Sequence, residues 1–438
     1  MKINPSSLGT VGELAKMLAS ISTIELITPT NLAVEHRAWI KRAEYGTISN
    51  PYFVYNDAKL RACANKKKRL RKLGDQVLAA QEAETPVDEA ILRILRRRID
   101  SALLTCDIAQ AMLKGNNTVI RELCTQKYGR PAPEDMSQAY AMIDEHVRPA
   151  SRSEAMFTDE ERAALRNIQI SIEGLETLFN FARIYYGFED WHCELRRDVH
   201  YVDVRTRASS PKHRKRIDLP VHKHFNGLRA LEQVAHEVEY HIRSIENSQQ
   251  LFADLLGKDS PLLPLIGALA KSDDESLYEG VAKNSDVRIG GEQSAPNPCY
   301  IIAIDWALRN LTFADVASGI IDMLSANNAT DPKQTHHEIL EKAWLITYRV
   351  FRGMQCSLSG ENLNGYAFTK DYAYLAGFNK VQTMDPMLRD FASLNEADIV
   401  DLQNAGVDLV PRYPYRRVAR EIWDRKTAGN DVIGIFRT

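Results

Sequence analysis

The chain has 438 residues and a mass of 49.6 kDa, with 44% hydrophobic and 26% charged residues. These values are typical of folded globular proteins and exclude collagen-like, coiled-coil and wholly disordered chains. Because the formal net charge is only −2, nothing in the overall charge favours nucleic acid as a partner, and we expect none.

The location of the protein is predicted from its apolar segments and cysteines. No segment approaches the roughly 20 apolar residues that a membrane-spanning helix needs. The apolar stretch near the amino terminus is interrupted by Glu13, Lys16 and Glu25, which is not typical of a secretory signal. The six cysteines form no C-x-x-C pair and no regular pattern, which favours a reducing compartment. We therefore expect a cytoplasmic protein with no membrane contact.

Two long amphipathic helices are predicted between residues 58 and 113, with a turn at Glu84-Thr85-Pro86. Eight basic and no acidic residues lie between Lys59 and Leu73, and four more arginines lie at positions 93, 96, 97 and 98. Such a run is usually a solvated helix face. The alternative is that the basic helices 59–98 form a docking surface for an acidic partner.

Further along the chain, Thr158 and Glu161 form a capping box that predicts a helix from there to about Tyr186. Residues 199–224 contain the only convincing strands, because apolar and polar residues alternate there. Helices are predicted again around 228–248, 276–288, 300–325 and 333–353. The expected fold class is α+β and predominantly helical.

The most informative motif is His236-Glu237-x-x-x-His241, which is one residue longer than the usual His-Glu-x-x-His of zinc peptidases. In a regular α-helix, residues four apart lie about 40° apart in projection, whereas residues five apart lie about 140° apart. Two histidines at this spacing cannot bind one metal from an undistorted helix. The motif therefore predicts a local π-helical bulge, which is typical of functional sites.

A zinc site also needs a third protein ligand and an open position for water. Glu279, within Tyr278-Glu279-Gly280-Val281-Ala282, is the best downstream candidate. The small Gly280 and Ala282 would allow this helix to approach the histidine helix closely.

Several segments together resemble the zinc tyrosine carboxypeptidase family, which includes the microtubule-associated tyrosine carboxypeptidases and the bacterial QEGLA-motif proteins. The similar segments are SNPYFVY at 49–55, HEVEYH followed by IRSIEN from 236, YEGVA at 278–282, ITYRVFRG at 346–353 and AFTKDYAYLAGF at 367–378. They occur in the same order, over about residues 40–385. No single segment would be sufficient to indicate this resemblance.

The resemblance implies that His236, His241 and Glu279 bind Zn²⁺ and that Glu237 is the catalytic acid/base. It also implies a metallopeptidase body with a small sheet beside the HExxxH helix. The sequence departs from the family at Tyr278 and Val281, which replace Gln and Leu of the QEGLA motif, and at Glu239 and Tyr240, which replace small residues. These departures remove no ligand, but they change the expected shape of the substrate pocket.

We divide the chain accordingly into an N-terminal segment (1–40), an N-terminal helical module (41–150), a zinc peptidase catalytic domain (151–385) and a C-terminal extension (386–438).

An exopeptidase that acts at a carboxyl terminus must bind the terminal carboxylate, which calls for Arg or Lys near the metal. The candidates are Arg349, Arg352 and Lys370, each of which has a structural ion pair as its alternative, and Tyr374 is a candidate oxyanion donor. The strand 216–224 is a candidate for edge pairing with a substrate. Its histidines at 222 and 224 share one face and make a second metal site a minor possibility.

The favoured function is a zinc metallocarboxypeptidase that removes a C-terminal aromatic residue, Tyr or Phe, from a protein or peptide. The aromatic preference is implied by the resemblance alone. The alternatives are a zinc endopeptidase or aminopeptidase, and a non-catalytic zinc-containing binding protein for an acidic partner. A purely structural zinc would need no general base, so Glu237 argues against the last alternative.

Overall fold

The computed structural model describes residues 2–3, 8–144, 155–197, 199, 202–206, 215–272, 275–330, 334–354 and 366–428. Cys356 lies outside this part of the chain. Helices account for most of the described residues and strands for few, which confirms the predominantly helical α+β class.

The helices before the metal motif are α1 (Leu8–Ala19), α2 (Thr23–Ile27), α3 (Leu32–Glu44), α4 (Asp57–Ala79), α5 (Pro86–Leu113), α6 (Asn117–Tyr128), α7 (Pro133–Asp144), α8 (Asp159–Arg166) and α9 (Ile172–Tyr186). The motif lies in one continuous helical run of α10 (Gly227–Val234), a π-helix (Ala235–Ile242) and α11 (Arg243–Leu256). The helices that follow are α12 (Ile266–Leu269), α13 (Ser276–Gly290), α14 (Pro298–Leu308), α15 (Phe313–Thr330), α16 (His336–Phe351), α17 (Tyr372–Val381), α18 (Glu396–Asn404) and α19 (Val418–Thr427).

The strands are short: β1 (Lys2–Ile3), β2 (Gln81–Glu82), β3 (Gln169–Ile170), β4 (His192–Arg196), β5 (Asp203–Thr206), β6 (Lys215–Pro220) and β7 (Phe225–Asn226). The largest sheet has the order β4-β6-β5, with β4 parallel and β5 antiparallel to the central β6. Apolar side chains of β6 at Ile217 and Leu219 share a hydrophobic cluster with Val234, Ala235 and Val238. The small sheet therefore packs against the helix that carries the metal motif.

Two of the predicted helical regions can be compared with the structure directly. The predicted pair over 58–113 is confirmed as α4 and α5, and Thr85 forms a capping box at the start of α5. The single helix predicted from Thr158 to Tyr186 is wrong, because it divides into α8 and α9. A side-chain cap at Ser171 starts α9, and the intervening β3 pairs with β7. Periodicity could not reveal this break, since the helices on both sides are amphipathic.

The hydrophobic core crosses the division that we predicted at residue 150. One cluster joins side chains from α3, α5 and α6 with side chains from α14, α15 and α16. Another joins α1, α4 and α5 with residues of α13 and α18. The domain boundaries themselves stay predictions.

Helices α13 and α17 cross at two glycines. A Cβ atom built on Gly280 would lie 2.2 Å from the backbone carbon of Gly377, and one built on Gly377 would lie 1.7 Å from the carbonyl oxygen of Ser276. No side chain fits at either position. The prediction that Gly280 allows a close approach of the histidine helix is therefore wrong, because the helix that approaches Gly280 closely is α17.

The segment before α19 binds the back of the π-helix. Glu239 is fully buried, and its Oε1 accepts hydrogen bonds from the Tyr186 hydroxyl and from the Val418 backbone amide, both at 2.8 Å. Asn247 donates to the Tyr413 carbonyl at 3.1 Å and accepts from the Tyr413 amide at 2.8 Å. The C-terminal extension is thus held against the helix that carries both histidines.

Candidate metal centre

The two motif histidines converge because the helix between them is a π-helix. Residues 235–242 form this element, and their hydrogen-bonded turns are one residue wider than those of an α-helix. The rings of His236 and His241 lie 4.7 Å apart between centroids and are perpendicular to each other. The predicted bulge is therefore confirmed.

Glu279 completes a three-residue cluster. It lies in the first turn of α13, and one ligand atom from each of Glu279, His236 and His241 lies within 4.8 Å of the others. All three side chains are buried, with 5–8% of each residue exposed. The three residues that were predicted as zinc ligands therefore lie together in a cluster that could hold a metal ion, and their role as ligands stays a prediction.

An unsatisfied oxygen shows that the cluster fits a cation. Glu279 Oε2 lies 3.7 Å from Nε2 of His236 and 3.7 Å from Nε2 of His241, which is too long for a hydrogen bond. The same oxygen is buried and has no hydrogen-bond partner among the described residues. A buried carboxylate oxygen without a partner is costly, whereas a cation between the three atoms would satisfy it. Burial opposes the ionisation of Glu279, but the two histidines outweigh this effect and hold its pKa well below the ordinary value.

His236 is oriented from behind by Asp286. Its Nδ1 lies 3.2 Å from each carboxylate oxygen of Asp286, which is fully buried and also accepts from Lys283 Nζ at 2.7 Å. Burial lowers the pKa of His236, but the Asp286 carboxylate outweighs burial and raises this pKa to about 10. With Nδ1 held by the carboxylate, Nε2 faces Glu279. This is the usual arrangement of a metal-binding histidine and its supporting carboxylate.

His241 packs against an aromatic ring instead. The Tyr278 ring stacks on the His241 imidazole, with 3.8 Å between centroids and 17° between planes. Burial lowers the pKa of His241 to about 4. Its Nδ1 is buried and has no hydrogen-bond partner within the described part of the chain.

Glu237 adjoins the cluster but is not part of it. Its side chain is buried, and burial raises the pKa of Glu237 to about 8, with Asp203, Glu279 and Asp286 adding to the effect. A cation on the neighbouring ligands would act in the opposite direction and favour the carboxylate. The position next to a ligand, without being one, suits a residue that accepts and returns a proton.

The predicted carboxylate-binding cations have other partners. Arg349 is paired with Asp371 (Nε to Oδ2 2.7 Å), and its guanidinium lies 5.0 Å from the Tyr300 ring. Lys370 is paired with Glu275. Arg349 and Lys370 therefore form structural ion pairs, which the sequence analysis gave as the alternative to binding a substrate carboxylate.

Arg352 and Tyr374 have different neighbours. The Arg352 guanidinium lies 5.0 Å from the Tyr348 ring, and the Arg352 backbone carbonyl accepts from the Tyr366 hydroxyl. The Tyr374 ring lies 5.6 Å from the Arg349 guanidinium, and both burial and the Glu279 charge raise its pKa. Tyr374 is therefore near the cluster, whereas the described contacts of Arg352 are with other aromatic residues.

The order of the strands contradicts the prediction that the strand 216–224 pairs with a substrate at the edge of a sheet. The strand predicted over 216–224 corresponds to β6, which is the centre of the sheet and pairs with a strand on each side. In the described sheet, the edge strands are β4 and β5. His222 and His224 follow β6, and they do not belong to a metal-ligand cluster among the described residues.

The basic helices are partly neutralised within the chain. On α5, Arg97 pairs with Asp398 at 2.9 Å and with Asp401 at 2.6 Å, and Arg93 pairs with Asp401 at 2.8 Å. The buried Arg98 also pairs with Asp398. On α4, six basic side chains are exposed, at positions 59, 61, 68, 69, 71 and 72, and two of them, Arg61 and Arg69, have the acidic partners Asp57 and Glu13. An acidic partner stays a prediction, and α4 is the part of the basic surface that would serve it.

Three residues near the cluster were not singled out in the sequence as functional: Asp286, Tyr278 in its contact with His241, and Lys271. Asp286 follows Glu279 by seven residues, which is two helical turns, so a carboxylate on the ligand face of α13 was a usable signal. No comparable signal marks Lys271, because it precedes α13 in an irregular segment.

Comparison of the chain with known protein families, curated proteins and solved structures finds no match. The resemblance described above therefore rests on the motifs alone. Among the described residues, no helix combines the length and the apolar character required to cross a membrane.

Proposed function

We propose that the protein is a zinc metallocarboxypeptidase that removes a C-terminal aromatic residue, Tyr or Phe, from a protein or peptide. One observation carries the proposal: two histidines and a glutamate converge in a buried cluster with Glu237 directly beside it. Two imidazoles and one carboxylate, with a position left for water, are a common ligand set of catalytic zinc. The cleavage of a terminal residue and the aromatic preference are supported only by the motif resemblance.

His236, His241 and Glu279 would hold the zinc ion, and Asp286 would keep the His236 ring oriented. Zinc bound there would lower the pKa of a water molecule and polarise the carbonyl of the scissile peptide bond. Glu237 would take a proton from the water and give it to the leaving amine as the C–N bond breaks. The water oxygen ends on the carbonyl carbon, so the products are a shortened chain with a new carboxyl group and a free amino acid.

A peptide mixture with blocked amino termini and varied C-terminal residues tests the proposal. The zinc-loaded protein should release single C-terminal Tyr or Phe residues, as detected by mass spectrometry, whereas Glu237→Gln should bind zinc and release none. Internal cleavage would favour the endopeptidase alternative. A zinc-loaded protein that cleaves neither peptides nor acidic protein substrates would refute the enzymatic proposal.

A further inference from the structure

A lysine that the sequence did not single out lies on the His241 side of the cluster. Lys271 Nζ lies 5.3 Å from the centroid of the Tyr278 ring, and this ring stacks on the His241 imidazole. The stack therefore connects the ammonium group to a candidate metal ligand through a single aromatic ring.

Lys271 differs from the other cations near the cluster, because no carboxylate of the described residues forms an ion pair with its ammonium group. Lys370 is paired with Glu275, Arg349 with Asp371, and Lys283 with Asp286. Within the described part of the chain, the Lys271 ammonium group lies over the face of the Tyr278 ring. A lysine held in this way keeps its charge and its three N–H donors for another acceptor.

Two described carboxylates near Lys271, Asp203 and Glu275, form ion pairs with other cations. Burial raises the pKa of Asp203, and the charges of Arg205 and Lys271 oppose this effect. Asp203 is paired with Arg205 (2.7 Å), which also contacts Asp218 at 3.0 Å. Glu275 is held by Lys370. Lys271 is half-buried, so part of the residue is in contact with solvent.

We propose that Lys271 binds the terminal carboxylate of the substrate, with the Tyr278 ring as the wall between that carboxylate and the metal ligands. The inference rests on the proposed carboxypeptidase function and adds to it the residue that makes the enzyme an exopeptidase. A carboxylate that pairs with Lys271 completes the ion pair that this lysine lacks within the described chain. An endopeptidase substrate, with an uncharged amide at this position, would leave the lysine without an anion.

The test measures binding separately from catalysis. L-tyrosine, which has a carboxylate, and L-tyrosinamide, which lacks it, are titrated calorimetrically into the full-length zinc-loaded protein. The parent protein should prefer L-tyrosine. Lys271→Met should weaken binding of L-tyrosine about 10- to 100-fold and leave binding of L-tyrosinamide unchanged. Lys271→Arg should restore much of the preference, and Lys258→Met, at an exposed lysine, should have no effect.

Zinc content is measured for each variant, and Lys271→Gln replaces Lys271→Met if the latter does not retain zinc. Equal weakening for both ligands, unchanged affinity for L-tyrosine, or no binding of L-tyrosine by the parent would each overturn the assignment of Lys271. Failure of the proposed function gives a different result, namely no release of terminal residues from peptides by a parent protein that binds L-tyrosine through Lys271.

Discussion

The hydrogen bond between Asp286 and His236 predicts a large effect on metal affinity from a residue that does not bind the metal. Asp286→Asn removes the charge that holds Nδ1 of His236 and allows the ring to rotate away from Glu279. Loss of such a supporting carboxylate weakens metal binding by about 10- to 100-fold. This corresponds to about 1.4 to 2.8 kcal/mol of binding free energy at 25 °C.

The assay is a competition for Zn²⁺ between each variant and a chromophoric chelator of known affinity. Asp286 also accepts from Lys283, so Lys283→Met serves as the matched control, because it breaks the ion pair and leaves the bond to His236 intact. Asp259→Asn controls for the loss of an exposed acidic residue. An Asp286→Asn variant with parental zinc affinity, or an equal loss in Lys283→Met, would show that Asp286 does not position His236.

Three further predictions concern packing, metal removal and the C-terminal segment. Gly377→Ala should lower the free energy of unfolding by about 1–3 kcal/mol or more, because the added Cβ atom would clash with a backbone carbonyl oxygen of α13. Gly267→Ala is the control and should not lower the free energy of unfolding, because the space around Gly267 is open. Urea denaturation measures both. Zinc at 100 times its Kd should stabilise the protein by about 2.7 kcal/mol, chelation should reverse this, and Glu279→Ala should abolish the shift in Tm; an unchanged shift would exclude Glu279 as a ligand. Glu239→Ala should speed hydrogen exchange at the Val418 amide, which loses its acceptor; unchanged exchange would show that the C-terminal segment is held by other contacts.

The geometry of the histidine pair could be predicted because it follows from helix dimensions. Two ligands five residues apart cannot meet on an α-helix, so a shared metal requires the wider turn that residues 235–242 adopt. Glu279 was chosen from the sequence as the best downstream carboxylate, and the resemblance implied the same residue. The first turn of α13 places it near both histidines, and its role as a metal ligand stays a prediction.

The choice of cations could not be predicted in the same way. Nothing in the sequence distinguishes Arg349, Lys370 and Lys271 as cations with or without a carboxylate partner. The tertiary structure decides which of them forms an ion pair with a described carboxylate. Asp371 adjoins Lys370 in the chain, yet it pairs with Arg349. Ion pairs between side chains of different elements depend on how those elements pack together, and the spacing of residues in the sequence does not predict them.

The structure also separates the departures from the family pattern into two kinds. Glu239 and Tyr240 face away from the ligands: Glu239 accepts from the Val418 amide at the start of α19, and the Tyr240 ring lies 5.7 Å from that of Tyr415 in the segment just before α19. These larger side chains are explained by the C-terminal extension that covers them. Tyr278 is different, because it stacks directly on His241. Changes at Tyr278 should therefore alter substrate or metal binding, whereas changes at Glu239 and Tyr240 should alter stability first.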